Sequence, residues 1–413
     1  MKRKKTVALL GKTLIDWGGG IDILRLFAQA LALQQEEQNL QLCLLLPGND
    51  FFTRVTNVAR PYKDIFRQLA RLEKPARSRT APFDMTAVTD VFRNIDGLRI
   101  IFFRNSAAGL VKCLQEIGAD VVLPSIGSLG REFPVPWVGY IPDLQHRHHP
   151  EFFATSECAK RDRVYARLLQ EAKAVIVNSR AAEADIAAFF PAAGSRIVPL
   201  PFAPVPDEAW FEADRQDVAG KYGLPADYFA ICNQFWIHKS HGTAFEALAL
   251  LQKKSGGHDI HLVCTGQTTD VRFPGYFEQL REQVRQLGIE DRVHFLGHIP
   301  KIDQIHVMRG ARAVIQPTLF EGGPGGGAVY DAVALGVPAI ASDIPVNREI
   351  VESGVTFFTA GSAEKLAERM ADLLGIAREE PDVAELTRRG RERAARLGES
   401  LLKAACVVAE GRR

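Results

Sequence analysis

Glu321 stands directly before a run in which five of the six residues from Gly322 to Gly327 are glycine, with Pro324 the one exception. Asp331 follows in a helix-like segment that closes at Gly336-Val337-Pro338. Amides at a helix N-terminus point outward unpaired and favour anions through the macrodipole. Glycine lets a diphosphate approach that backbone and allows positive φ. Carboxylates before the run and within the helix can accept both hydroxyls of a vicinal diol. The stretch 316–349 thus sets hydroxyl acceptors beside phosphate donors, as a nucleotide sugar would require. A glycine-rich turn whose acids cap a helix is the competing reading.

Lys239 ends a second constellation, Asn233-Gln234-Phe235-Trp236-Ile237-His238-Lys239, which follows an apolar strand-like run. A departing diphosphate needs positive charge that tightens its hold as the sugar bond breaks, and Lys239 supplies it. A surface lysine after a strand is the bland alternative. The third constellation is Pro142-Asp143-Leu144-Gln145-His146-Arg147-His148-His149. Three imidazoles in four residues suggest a metal, yet adjacent His148 and His149 cannot converge on one ion without outside ligands. A cleft loop whose histidine hydrogen-bonds a sugar fits better, with His146 as the candidate. A structural histidine competes with that reading.

These groups must be held by secondary structure. Thr6 to Gly11 reads as a strand, Gly18-Gly19-Gly20 as a turn, and Ile21 to Leu33 as a helix with apolar residues at Ile21, Leu24, Phe27, Ala28 and Leu31. Further strand-like runs at 42–46, 98–103, 121–124, 137–141 and 174–178 alternate with helical stretches, which predicts a parallel α/β sheet. Pro199 to Asp207 carries four prolines in nine residues and reads as a stiff interdomain linker. Alternation then restarts, with strands at 228–232, 260–264, 293–296, 313–316 and 339–342. Helices are expected near 244–254, 276–287, 328–335 and 363–374, and the stretch from Val383 to Arg413 is helical and charge-rich. The chain divides into a Rossmann-like domain over 1–203, a second Rossmann-like domain over 204–390, and a terminal helix over 391–413 packing back on the first half. Ligands of open α/β sheets bind at the carboxyl ends of the strands, so both glycine turns face one cleft.

The second half resembles the retaining family-four glycosyltransferases of the GT-B fold. Thr318, Phe320, Glu321-Gly322, then Asp331-Ala332-Val333-Ala334-Leu335-Gly336-Val337-Pro338 and Ala341-Ser342-Asp343 follow that family's signature. The resemblance implies transfer of a sugar from a nucleoside diphosphate donor to a saccharide or lipid-linked acceptor, with the anomeric configuration retained and no metal required. It implies that Glu321 contacts the donor sugar, Asp331 the ribose and Lys239 the diphosphate, with His146 standing in near the reacting sugar. Gly18, Gly19, Gly20, Gln234, Gly322, Gly323, Gly325 and Gly326 would complete the donor site, and Ile299 in Gly297-His298-Ile299 would border the nucleobase. The sequence departs from the family at three places. Gln234 stands where an arginine is usual, Pro142 where a histidine is usual, and the second acid is Asp331, ten residues after Glu321 and two beyond the usual spacing. A nonhydrolysing epimerase and a non-catalytic family member are the alternatives. A nicotinamide dehydrogenase is not, because Gly18 to Gly20 lacks the spaced dinucleotide fingerprint.

The 413 residues suit about two domains, and a net charge of +2 gives no global field for nucleic acid. Six widely spaced cysteines without a Cys-x-x-Cys pair read as free thiols of a reducing cytoplasm. The basic start is followed by too short an apolar run, Val7 to Leu10, for a signal peptide. Between Arg54 and Arg79, eight basic residues face two acidic ones, a local charge of +6, with apolar residues interleaved at helical spacing. A basic amphipathic helix of this kind suits peripheral contact with the inner face of a membrane and a lipid-linked acceptor. A solvated helix face is the plainer reading of that segment.

Overall fold

The structure, a computed structural model, describes residues 3–15, 18–48, 85–212, 215–254, 259–377 and 380–410. The basic segment 54–79 lies outside them.

Two parallel sheets organise the chain. The first contains β1 (Lys5–Leu10), β2 (Leu40–Pro47), β3 (Leu98–Phe103), β4 (Val121–Ser125), β5 (Trp137–Ile141), β6 (Ala174–Val177) and β7 (Arg196–Pro199), in the order β3-β2-β1-β4-β5-β6-β7. The second contains β8 (Tyr228–Cys232), β9 (His261–Thr265), β10 (Val293–Gly297), β11 (Val314–Gln316), β12 (Ala339–Ser342) and β13 (Val355–Phe358), in the order β10-β9-β8-β11-β12-β13. The strands are mostly apolar because helices cover the faces of each sheet. In β2, Leu40, Leu42, Leu44 and Leu46 enter one core while Cys43 and Leu45 enter the other. In β8, Phe229 and Ile231 face one side and Tyr228, Ala230 and Cys232 the opposite one. β7 and β13, each of four residues, were not expected from the sequence.

The order of each sheet reverses once, between β1 and β4 and between β8 and β11, and the crevice for a ligand opens at such a point. Residues that follow β8 and β11 therefore flank the opening of the second sheet. The glycines Gly18–Gly20 form the first turn of the helix Gly18–Ala32 rather than a separate loop. A side chain at Gly20 would place its Cβ 2.2 Å from the carbonyl oxygen of Leu14, so only glycine fits there.

The helix Val383–Glu410 begins on the second half, where Arg393 donates to Glu352 at 2.7 Å. It then crosses to the first, where Leu397, Leu401, Ala404, Ala405 and Val408 join the core built on β1 and β2. Gly398 permits the close crossing, since its Cβ would lie 2.4 Å from the Ala30 carbonyl oxygen. The six cysteines are free, and Cys43, Cys113, Cys232 and Cys264 are buried. Among the described residues, no helix is long and apolar enough to cross a membrane.

Candidate active site

The loop after β8 and the loop after β11 meet at Lys239 and Glu321. Lys239 Nζ donates to Glu321 Oε1 at 2.5 Å, and Gln316 Nε2 donates to the same oxygen at 2.8 Å. Gln316 Oε1 accepts from Asn233 Nδ2 at 2.6 Å, which links the ends of the two strands. The lysine and glutamate side chains are only 9% and 11% exposed, so the pair sits in a weakly screened place. The backbone is locked as well. The carbonyl of His238 accepts from Leu319 N at 2.7 Å and from Thr318 Oγ1 at 3.1 Å. Ser342 Oγ donates to the Thr318 carbonyl at 2.5 Å. Thr318 and Ser342, both part of the sequence signature, thus hold the scaffold on which Glu321 stands.

The glycine run does several jobs. Gly325 caps the helix Gly326–Leu335 at φ +67°, and its N–H donates to Asn347 Oδ1 at 2.8 Å. Gly326, at φ +57°, brings its backbone so close that a Cβ would lie 3.0 Å from the Glu321 carboxylate. Gly322 and Gly323 serve contact with the first half: their Cβ atoms would meet the Pro142 carbonyl oxygen at 2.4 Å and Asn178 Cβ at 3.0 Å. A Cβ on Gly327 would meet nothing within 4 Å, so that turn of backbone is open to a ligand.

Asp331 lies one turn farther along this helix, buried, and pairs with Lys301. Burial raises its carboxyl pKa above the usual range although Lys301 pulls it down, and Asp22 of the first half adds a further upward push. The Lys301 ammonium is drawn down by burial but held up more strongly by Asp331 and Asp22, and the net shift is upward. A Lys301–Asp331 ion pair, within electrostatic reach of Asp22 of the first half, therefore occupies the place where the sequence suggested a lone acid. Lys301 and Asp22 carried no sequence signal, because only the fold brings them to Asp331.

His238 is 5% exposed, and its Nδ1 has no hydrogen-bond partner among the described residues. Burial first, then the charges of Lys239, Arg272 and His149, push its pKa down to about 2, so the imidazole is neutral. Arg272, which sequence reasoning also missed, lies against Trp236 at 5.1 Å and Phe153 at 5.6 Å and is held by Asp270 at 2.9 Å.

Some expected residues are placed elsewhere. His146 is 1% exposed and points into the core of the first half, where Nε2 meets Asp162 at 2.9 Å and the ring packs edge-on against Tyr165. Its partner Asp162 comes from the helix Thr155–Glu171 of the same half. Its neighbours His148 and His149 instead lie against the second half, their rings 5.4 and 6.0 Å from the ring of Phe320. The three imidazoles pair with three different carboxylates, Asp162, Asp185 and Glu151, and so diverge. Gln234 is exposed beside Lys239's loop. The side chain of Ile299 is buried in the second half's core, which leaves only backbone to border a base.

Residues 221–393 match the model of glycosyl transferases group 1. The matched span lies wholly in the second half of the chain. Lys239, Glu321 and Asp331 all fall inside the matched span. Mannosylfructose-phosphate synthase of Agrobacterium fabrum is 25% identical over 141 residues, which is 34% of this chain and 30% of that protein. Sucrose-phosphate synthase from Thermosynechococcus elongatus superposes with a TM-score of 0.57 at 17% identity, over 98% of this chain and 97% of that one. Anabaena HepE, solved in complex with UDP and glucose, gives 0.57 at 16% identity over 98% and 99% of the two chains. A glycosyltransferase from Rickettsia africae gives 0.60 at 13% over 98% and 99%. The two sheets with their covering helices make the GT-B fold.

Proposed function

We propose that the protein transfers a sugar from a nucleoside diphosphate sugar to a saccharide or lipid-linked acceptor, with retention of anomeric configuration, in polysaccharide or glycoconjugate synthesis. The observation that carries this reading is the Lys239–Glu321–Gln316 cluster, set at the order reversal of the second sheet beside a glycine-opened helix N-terminus. Glu321 is the acceptor for donor-sugar hydroxyls. Lys239 and the amides around Gly326 and Gly327 hold the diphosphate and strengthen their hold as the bond to the sugar breaks. Gly18 to Gly20 bring the first half's helix N-terminus toward the same phosphates. Asp331, with Lys301, faces the ribose.

No side-chain nucleophile is required in this reading. The leaving phosphate takes the proton of the incoming hydroxyl on the face where that hydroxyl attacks, and the protein acts by positioning and by charge. With Lys239 and backbone amides supplying the positive field, the reaction proceeds without a metal, and chelator leaves the rate unchanged. The protein works in the cytoplasm, with segment 54–79 contacting the anionic inner face of the membrane when the acceptor is lipid-linked.

Thermal shift against UDP-, GDP- and ADP-sugars tests the reading, because a ligand of the native state raises apparent stability. The donor that shifts the transition is then supplied with candidate acceptors and the anomer of the product is determined. If Glu321→Ala and Lys239→Ala transfer sugar at the wild-type rate under saturating donor, the site is assigned wrongly.

A further inference from the structure

A single 3-10 turn, Asn347–Glu349, touches both the glycine loop and the opposite half of the molecule. Asn347, fully buried, accepts from Gly325 N at 2.8 Å and donates to the Ser342 carbonyl at 2.9 Å. Two residues on, the Glu349 carboxylate accepts from the backbone of the first half: Arg180 N at 2.9 Å and Ala181 N at 2.7 Å. Those amides open the helix Arg180–Phe189, whose own N-cap, Ser179, satisfies only Ala182 N at 3.0 Å. The cap is therefore completed by a residue of the other half. Charge-assisted bonds to helix-terminal amides are among the stronger hydrogen bonds, and an anion is favoured there by the dipole.

The contact lies beside the seam where the glycine run meets the first half. Ser179 Oγ donates to the Gly322 carbonyl at 3.4 Å. Asn178 Nδ2 donates to the Pro142 carbonyl at 3.1 Å and its Oδ1 accepts from Tyr140 at 3.0 Å, which makes a stiff floor under Gly322 and Gly323. The turn thus couples the pose of the donor loop to the pose of the acceptor-side half.

We propose that Glu349 is a positioning residue that sets the closed geometry of the cleft by capping the helix Arg180–Phe189 across the two halves. It acts through Arg180 and Ala181 amides and touches no reacting atom. The inference rests on the transfer reaction proposed above for its kinetic consequence, whereas its structural consequence is independent of any substrate.

The test uses the full chain, with Glu349→Ala, Glu349→Gln and Arg180→Pro. Proline suits the first helical position, and Ser179 at φ −162° and ψ 161° is extended as the residue before a proline prefers, so Arg180→Pro deletes one N–H without breaking the helix. Small-angle scattering is measured without ligand, and kcat and the Kd of the nucleoside diphosphate product are measured with the donor that wild type uses. Glu349→Ala is expected to enlarge the radius of gyration and to lower kcat by about 10–100-fold, with Kd within about twofold. Glu349→Gln, which keeps one oxygen acceptor but not the charge, recovers part of the rate. Arg180→Pro gives a smaller loss of the same kind, and the double variant is no worse than Glu349→Ala alone. An unchanged radius of gyration overturns the proposal, as does a kcat within twofold of wild type or a Kd that weakens in step with kcat. A wild-type protein that binds and turns over no nucleotide sugar refutes the proposed function instead, and scattering alone then decides the role of Glu349.

Discussion

Replacing Lys239 by methionine separates what the Lys239–Glu321 pair does for the fold from what it does for chemistry. At 2.5 Å and an effective dielectric near 20, the attraction is roughly 7 kcal/mol before desolvation is subtracted. Most of that is offset by the cost of removing both charges from water, so the net contribution of the pair is small. Removing one partner is different, because Glu321 is left as a carboxylate 11% exposed. Breaking a buried pair costs about 3–5 kcal/mol. Gln316 still donates to Glu321 Oε1 at 2.8 Å, which places the expected loss for Lys239→Met at the low end, about 3 kcal/mol. The double variant Lys239→Met, Glu321→Leu removes both charges and should return to within about 1 kcal/mol of wild type. Urea unfolding with an unchanged slope reads both values. Catalysis should not recover. With Lys239 in the proposed role of stabilising the leaving diphosphate, its loss lowers kcat by about 100–1,000-fold in the single variant, and the double variant stays at least as slow. A single variant as stable as wild type, or one that turns over saturating donor within tenfold of wild type, refutes the reasoning.

Other expectations follow from the same geometry. His238 and His241 are held neutral by burial and nearby charge, with pKa values of about 2 and about 3 against an ordinary 6.5. The unfolded chain therefore binds protons below 6.5 that the native chain refuses, so unfolding free energy falls as pH drops from 6.5 toward 3. Each group contributes a slope of up to about 1.4 kcal/mol per pH unit, and His241→Phe flattens the curve measured by denaturant titration. Gly322→Ala puts a methyl 2.4 Å from the Pro142 carbonyl oxygen, and steady-state assays should show kcat lowered about tenfold or more as the seam is pushed apart. Gly327→Ala meets open space and should stabilise the chain by about 0.5–1 kcal/mol in thermal unfolding, while donor KM rises because the methyl stands where the phosphates approach. Leu401→Ala empties a site that is fully buried and should cost about 2–5 kcal/mol of stability with the nucleotide Kd unchanged by calorimetry.

The apolar runs announced eleven of the thirteen strands because the faces of each sheet are covered, so the strands are mostly apolar. β7 and β13 escaped notice because four residues, one of them a proline in β7 and a threonine in β13, are too few to form a pattern. Glu321 and Lys239 were legible as chemistry from residue type and from position after a strand, and the fold brings them into contact. Gln316, Asn347 and Glu349 were not, since a buried amide and a turn carboxylate gain meaning only from the partners that tertiary structure supplies. The burial of His146 was hidden for the same reason. Nothing local marks which of three neighbouring histidines turns inward to Asp162 and which face Phe320.

The long final helix has a consequence for synthesis. Leu397, Leu401 and Val408 complete a core that begins at Val7, so that core stays incomplete until residue 408 has emerged. At about 5–20 residues per second, roughly 20–80 s separate the two ends of that core on the ribosome. The second sheet closes one of its cores from residues between Phe229 and Met370, well before the last helix is made. The half that is translated first is thereby the half whose folding is finished last.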